Sequence, residues 1–333
     1  DRIDEGAAMA ALAAALLHDI GHGPLSHTFE TVLPGALPHE TWTSRIILDP
    51  DTEVHRVLTA IDPTLPREVE RLVHGEHPIR HLARAVSGTF DVDRCDYLLR
   101  DSYMTGVRYG LLDVDWLLAS LRLHLPQGAG ASTLAVDGNK GLTAVEGFFL
   151  ARLYMYRQVY LHKAVRGAEV VVRALFHRLV ELGPQPGTPD AFATLLRGDP
   201  LTVHGYLRLD DRTLDAAIDA YTDNADPLLR SLALRIRDRR LFKTMQLRAD
   251  ADLELAQARL HHVLHETGAG PSYLGVIDRN EIRAYDEDHA LGVVGHSHGQ
   301  YRSLLDASPV LRGLSRERFV HNRAVFPPSV RAA

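Results

Sequence analysis

An alanine- and leucine-rich run near the start of the chain ends in a dense group of polar residues. The fifteen residues Leu16–Glu30 contain three histidines, two carboxylates, two glycines and a proline. Alanine and leucine favour helix, so residues 7–17 predict a buried helix that the following glycines and proline terminate. Histidines capping backbone carbonyls would explain a lone His-Asp pair. An unpaired aspartate behind so apolar a helix is costly to bury, however, and a bound metal ion would remove that cost.

The donors His18 and Asp19 at this helix end indicate the kind of metal. A neutral imidazole beside a carboxylate is a mixed nitrogen and oxygen donor set, which suits Mn, Fe, Co, Ni or Zn. Adjacent residues of a helix point about 100° apart, so both side chains reach one ion only when it lies close against the helix end. Other ligands must therefore come from elsewhere in the chain.

The composition favours a mainly helical fold that is not embedded in a membrane. The 333 residues are 45% apolar and 24% charged, as in ordinary globular proteins, and the single Cys95 fits a reducing cytoplasm. No apolar run approaches the roughly 20 residues of a membrane span. The net charge of −6 argues against a general polyanion-binding surface, so nucleic-acid binding is not indicated. A phosphorylated substrate would need a local pocket of arginine and lysine.

A second group of carboxylates lies in residues 90–101. On a helix Asp93, Asp96, Tyr97 and Asp101 fall near one face, while Arg100 forms an i,i+4 ion pair with Asp96. A solvated acidic helix with local salt bridges would explain this pattern by itself. The apolar residues between the carboxylates instead favour a largely buried segment.

The run from His18 to Glu30, HDIGHGPLSHTFE, resembles the signature of HD-domain phosphohydrolases. Within that superfamily it is similar to the deoxynucleoside triphosphate triphosphohydrolase branch. The resemblance implies one divalent transition metal ion, with Mg as a further candidate, bound by His18, Asp19 and Asp93. The family has a further ligand, a histidine some tens of residues before the His-Asp pair. We therefore expect an N-terminal segment before Asp1.

The resemblance also implies catalytic and substrate-binding residues. The expected catalytic group is His22 on the α-phosphate, His27 opposite the leaving 5′-oxygen, and Glu30 and His39 orienting His27. The expected substrate contacts are Arg94 at the phosphates and Tyr97 and Asp101 at the sugar. A helix within residues 148–163 resembles the family element that supplies Arg152 to the terminal phosphates and Tyr160 to the sugar. Without the resemblance, the aromatic residues of that helix would indicate only that it packs in the core. Tyr156 departs from the family, in which histidine is common at this position.

The expected fold is an HD-domain helical bundle over residues 1–183, with a smaller α+β region over residues 184–333. The boundary is placed at Pro184-Gln185-Pro186-Gly187, the strongest loop signal in the chain. The resemblance spans about residues 7–245.

The leading functional prediction is hydrolysis of a deoxynucleoside triphosphate to deoxynucleoside and inorganic triphosphate by a cytoplasmic homo-oligomer. One alternative is another HD phosphohydrolase, a nucleotidase or phosphodiesterase, although the Gly-Tyr-Pro motif of the cyclic-dinucleotide branch is absent. A different alternative is a nucleotide-binding regulatory module with a silenced metal site.

Overall fold

Helices make up most of the chain, and the predicted mainly α fold with a smaller α+β part is confirmed. The structure is a computed structural model, and it describes residues 3–88, 90–125, 132–248, 250–267, 273, 275–282, 285, 291–295 and 301–328. Among these residues, no helix is both long enough and apolar enough to cross a membrane.

The helices and strands follow one another in chain order with short connections. The helices before residue 161 are α1 (Glu5–Leu17), α2 (His27–Val32), α3 (His39–Leu48), α4 (Glu53–Ile61), α5 (Leu65–Val73), α6 (Arg80–Val86), α7 (Val92–Thr105), α8 (Val114–Ala119) and α9 (Leu142–Met155), which runs on into a π-helical turn at Tyr156–Tyr160. The later helices are α10 (Lys163–Leu182), α11 (Asp190–Leu196), α12 (Val203–Tyr206), α13 (Asp211–Tyr221), α14 (Pro227–Arg237), α15 (Asp250–Thr267), α16 (Leu304–Ala307) and α17 (Pro309–Arg316). The strands are β1 (Leu121–His124), β2 (Thr133–Asp137), β3 (Lys243–Gln246), β4 (Val276–Ile282), β5 (Gly292–Val294), β6 (Tyr301–Ser303) and β7 (Phe319–Phe326).

The chain divides into two units, each assembled from separate segments. Unit 1 comprises Asp1–Asp19, Ile47–Tyr160 and Glu281–Phe319, and unit 2 comprises Ile20–Ile46, Leu161–Asn280 and Val320–Ala333. The boundary predicted after residue 183 lies inside unit 2, so these units differ from the predicted domains. A functional division at that residue stays a prediction.

The core of unit 1 has a helical part and a part that includes a sheet. Helix α1 packs on α5 and α6, where Ala14 and Leu72 are fully buried. The prediction of a buried first helix is wrong for its outer face, since Leu12 is 69% and Leu16 is 82% exposed. Helix α7 packs on α9 over Leu98, next to a four-stranded sheet of order β1-β2-β5-β6. This packing holds α7, the helix with the second carboxylate group, against the core.

The core of unit 2 forms around three phenylalanine rings. Phe29 of α2 lies 6.1 Å from Phe176 of α10 and 5.9 Å from Phe192 of α11, measured between ring centroids. All three side chains are buried, so α2 is fixed to the long helix α10. A second, three-stranded sheet of order β3-β7-β4 completes the unit.

Candidate metal centre and histidine cluster

The end of α1 places His18 and Asp19. The helix is capped at its start by Asp4, whose carboxylate accepts from Ala7 N at 2.7 Å. At its end the His18 N–H still donates to Ala14 O at 2.9 Å, so His18 keeps the helical direction. The apolar run thus projects an imidazole from its last turn, as the sequence predicts.

His18, Asp19 and Asp93 lie together in unit 1. The His18 Nε2 atom is 3.5 Å from an oxygen of Asp19 and 3.6 Å from an oxygen of Asp93. Asp93 belongs to the first turn of α7, which Asp91 caps by accepting from Arg94 N at 2.8 Å. The structure therefore brings the three predicted metal ligands together from the end of α1 and the start of α7.

The hydrogen bond on the other nitrogen of His18 orients the ring. His18 Nδ1 lies 3.0 Å from the carbonyl of Ala15, to which it donates, and this leaves Nε2 facing the two carboxylates. Metal-binding histidines commonly donate their other ring N–H to a backbone carbonyl in this way. The donor atoms of the three residues lie within 4.8 Å of one another. The set therefore fits a divalent transition ion.

The electrostatics of this group also favour a cation. The hydrogen bond with Asp93 raises the pKa of His18 to about 9, and the charge of Asp19 adds to this effect although burial opposes it. The two carboxylates thus attract positive charge to the point that Nε2 faces. A bound ion would take the place of that proton.

A second cluster, the histidine cluster of His22, His27, Glu30 and His39, lies in unit 2. Glu30 is its centre: one carboxylate oxygen is 3.3 Å from His22 Nδ1 and 3.2 Å from His39 Nδ1, and the other is 3.7 Å from His27 Nδ1. Glu30, His22 and His39 are mostly buried, whereas the His27 side chain is 73% exposed. The structure therefore brings the four predicted catalytic residues together around one carboxylate.

The ring geometry of the histidine cluster suits proton transfer better than metal binding. His22 and His39 stack with centroids 3.8 Å apart and planes 17° apart. The lone pair of an imidazole nitrogen lies in the ring plane, so two nearly parallel, stacked rings do not aim at one ion. Several imidazoles around one carboxylate instead suit the transfer of a proton to or from a substrate.

In unit 1, side chains of α7 face side chains of α9 and of the π-helical turn that follows it. On α7, Asp93, Tyr97 and Asp101 follow at steps of four residues, and Tyr160 reaches this row from the π-helical turn. The Tyr160 hydroxyl donates to Asp101 over 2.7 Å, and the rings of Tyr97 and Tyr160 are 6.0 Å apart. Arg152 also interacts with Tyr97. The structure thus brings together four of the five predicted substrate-binding residues.

Tyr97 and Tyr160 stay protonated near neutral pH. Burial raises the pKa of Tyr97 to about 12, and burial together with the hydrogen bond to Asp101 raises the pKa of Tyr160 further. Both hydroxyls are therefore neutral donors near neutral pH. Tyr156, the residue that departs from the family pattern, lies 5.1 Å from the Tyr160 ring and 5.4 Å below the Arg152 guanidinium.

Arg94, the fifth predicted substrate-binding residue, makes contacts within its own loop. Its guanidinium donates to the carbonyl of Gly88 and to the carboxylate of Asp91, the residue that caps α7. These contacts stabilise the start of α7 and thereby the position of Asp93. A role for Arg94 at a phosphate stays a prediction.

The comparison that decides the family is with a bacterial protein. The chain is 33% identical over 327 residues to the uncharacterized protein YwfO of Bacillus subtilis, covering 95% of this chain and 73% of that protein. The chain belongs to the YwfO family. No protein-family model matches it.

A solved structure resembles the fold of this YwfO family member along nearly its whole length. The crystal structure of a phosphohydrolase from Bacteroides thetaiotaomicron superposes with a TM-score of 0.80 and 25% identity, covering 98% of this chain and 81% of that one. The chain therefore has a phosphohydrolase-like fold.

A more distant relative carries an assigned activity. The Dictyostelium discoideum protein named deoxynucleoside triphosphate triphosphohydrolase SAMHD1 homolog is 27% identical over 199 residues, 55% of this chain and 36% of that protein. This similarity supports the prediction that the chain is an HD-domain phosphohydrolase.

Two residues that bond the backbone beside the histidine cluster were not found by the sequence analysis. Thr43 and Tyr206 both contact Gly21, and Tyr206 is 185 residues away from it in the chain. Neither belongs to the motifs that carry the resemblance. The sequence offered one local indication for Thr43, namely that it lies about one helical turn after His39 on the same helix.

Proposed function

We propose that this chain hydrolyses deoxynucleoside triphosphates to deoxynucleoside and inorganic triphosphate. The observation that carries the proposal is the single row on α7, in which Asp93 of the metal centre continues into Tyr97 and Asp101. This row faces Arg152 and Tyr160. Helix α7, helix α9 and the π-helical turn of unit 1 together thus offer groups for a metal ion, for phosphate and for a sugar.

The metal centre consists of His18, Asp19 and Asp93. A divalent ion bound there would lower the pKa of water and polarise a phosphoryl oxygen. A water molecule attacks the α-phosphorus, the bond from phosphorus to the 5′-oxygen breaks, and triphosphate leaves in one step.

The substrate-binding residues hold the two ends of the nucleotide. Arg152 suits the phosphate chain because its planar guanidinium can bind two oxygens at once. Asp101 accepts from the 3′-hydroxyl of the sugar, since a carboxylate has lone pairs left after binding Tyr160. Tyr97 and Tyr160 enclose the sugar with their rings.

The histidine cluster supplies the proton that the leaving 5′-oxygen needs. His27, its most exposed member, donates this proton as a general acid. Glu30 holds the cluster together and stabilises the protonated imidazole, while His22 binds the α-phosphate.

The first product of the reaction tests the proposal. Ion chromatography of early time points with a single dNTP should show triphosphate and deoxynucleoside appearing together, with neither in the Asp93→Ala protein. Orthophosphate and dNDP as the first products would contradict triphosphate release and leave a metal-dependent phosphohydrolase.

A further inference from the structure

Both backbone polar groups of Gly21, the residue before His22, are hydrogen-bonded to buried side chains. The Gly21 N–H donates to Thr43 Oγ1 over 3.0 Å, and the Tyr206 hydroxyl donates to the Gly21 carbonyl over 2.6 Å. Thr43 is fully buried and Tyr206 is 3% exposed, so water does not compete for either bond.

Gly21 also lies directly against the helix that carries His39. A Cβ atom at Gly21 would overlap the carbonyl of His39 and the amide nitrogen of Thr43. Only glycine permits this close approach of the loop to α3. The position of His22 relative to His39 is therefore set by the contact between Gly21 and α3.

Tyr206 itself is held in one orientation. Its ring stacks on Trp42 of α3 with centroids 3.9 Å apart and planes 6° apart, and Trp42 is 1% exposed. Burial, together with the nearby charge of Glu30, raises the pKa of the Tyr206 hydroxyl. The hydroxyl is thus a fixed, neutral donor between α3 and the loop that precedes His22.

We propose that Tyr206 and Thr43 are positioning residues that hold the His22 ring against Glu30 and His39. The arrangement they hold is tight, because the Nδ1 atoms of both histidines lie within 3.3 Å of the same Glu30 oxygen. A displacement of about 1 Å in a catalytic group can cost a hundredfold in rate. This proposal rests on the proposed function for its kinetic readout, since in that reaction His22 binds the α-phosphate, the group that changes in the transition state.

Tyr206→Phe removes one hydroxyl and keeps the stack on Trp42. We expect kcat to fall about tenfold, the worth of one buried hydrogen bond, with KM little changed. Tyr221→Phe is the matched control, because Tyr221 is equally buried and its hydroxyl bonds Thr188 at 2.7 Å, away from the histidine cluster. Tyr221→Phe should keep the wild-type kcat even if its melting temperature falls as much as that of Tyr206→Phe.

The Thr43 bond gives an independent variant. Thr43→Val removes the accepting oxygen and should lower kcat as Tyr206→Phe does, whereas Thr43→Ser keeps the oxygen and should retain the wild-type kcat.

A double-mutant cycle then identifies the residue through which Tyr206 acts. Tyr206→Phe should reduce the activity of the His22→Ala protein far less than that of the wild type. Equal losses in both backgrounds, or an equal loss in Tyr221→Phe, would overturn the proposal.

The ring signals of His22 separate this proposal from the proposed function. If the wild-type protein hydrolyses no dNTP, the proposed function fails and histidine NMR still tests the positioning. The His22 ring resonances should shift in Tyr206→Phe and stay unchanged in Tyr221→Phe. Unchanged His22 resonances in Tyr206→Phe would contradict the positioning role, whatever the substrate.

Discussion

Tyr160 donates a 2.7 Å hydrogen bond to Asp101 across 59 residues of sequence. Asp101 lies on α7 and Tyr160 ends the π-helical turn that follows α9, so this bond fixes two elements side by side. Insertions of a π-helical turn occur frequently at functional sites. Here the wider turn sets the direction from which Tyr160 approaches the row that begins with Asp93.

Replacing Asp93 should remove the metal. Asp93→Ala takes away one of the three protein donors of the candidate metal centre, so protein purified without chelator should lose most of its bound transition metal. Elemental analysis measures the metal content. Asp96→Ala is the control, because Asp96 lies on the same helix and pairs with exposed Arg100 at 2.8 Å. Equal metal content in wild type and Asp93→Ala would exclude Asp93 as a ligand.

Replacing His27 should slow the chemical step. As the general acid, His27 should contribute about 10²–10⁴-fold, so His27→Ala should lower kcat by that factor and leave KM little changed. Steady-state kinetics with one dNTP gives both constants. His177→Ala removes an exposed histidine of α10 in the same unit and should retain the wild-type kcat. A near-normal kcat in His27→Ala would place the acid elsewhere, with His22 as the next candidate.

Replacing Arg152 should weaken substrate binding. The phosphates are charged before the reaction begins, so Arg152→Ala should raise KM about ten- to a hundredfold through the loss of a charge-assisted pair. Arg157→Ala is the control, since Arg157 is exposed and lies over the ring of Phe319. An equal rise of KM in both variants would contradict a specific contact of Arg152 with the phosphates and would indicate an effect of surface charge on substrate binding.

The bond between Asp226 and Arg178 should make stability depend on pH. The Arg178 guanidinium, at 2.6 Å, holds the pKa of Asp226 below its ordinary value. The stabilisation is therefore complete above the unfolded value of about 4 and is lost as the pH falls through the lower folded pKa. Asp226→Asn should lower the free energy of unfolding at pH 7 by about 1–2 kcal/mol.

Urea denaturation at several pH values measures this effect. The difference between wild type and Asp226→Asn should begin to shrink as the pH falls below about 4, and it should be lost below the folded pKa of Asp226, where the protonated carboxyl is as uncharged as the asparagine. Asp210→Asn, an exposed cap of α13 that bonds Thr213 rather than an arginine, should change stability less. A difference that stays constant from pH 7 to pH 3 would contradict the ion-pair explanation.

The members of the candidate metal centre and of the histidine cluster were expected from the resemblance to HD-domain phosphohydrolases, and their roles stay predictions. His18, Asp19 and Asp93 meet as expected, and so do His22, His27, Glu30 and His39. The predicted role of Arg94 is not tested by its position, since its guanidinium bonds the loop before α7. Helix direction and residue spacing are local properties, so they indicate which side chains one helix presents, whereas the meeting of His18 with Asp93 was expected from the resemblance.

The residues alone predicted the helix that ends at His18, the glycine-rich loop after it and a shared helical face for Asp93, Tyr97 and Asp101. These follow from local propensity and from the period of the helix. The folded structure alone shows that Tyr206 bonds Gly21 and stacks on Trp42, and that Leu12 and Leu16 lie at the surface. Such contacts join segments that are distant in the chain. Whether they form depends on how whole helices pack, and no local pattern of residues encodes that.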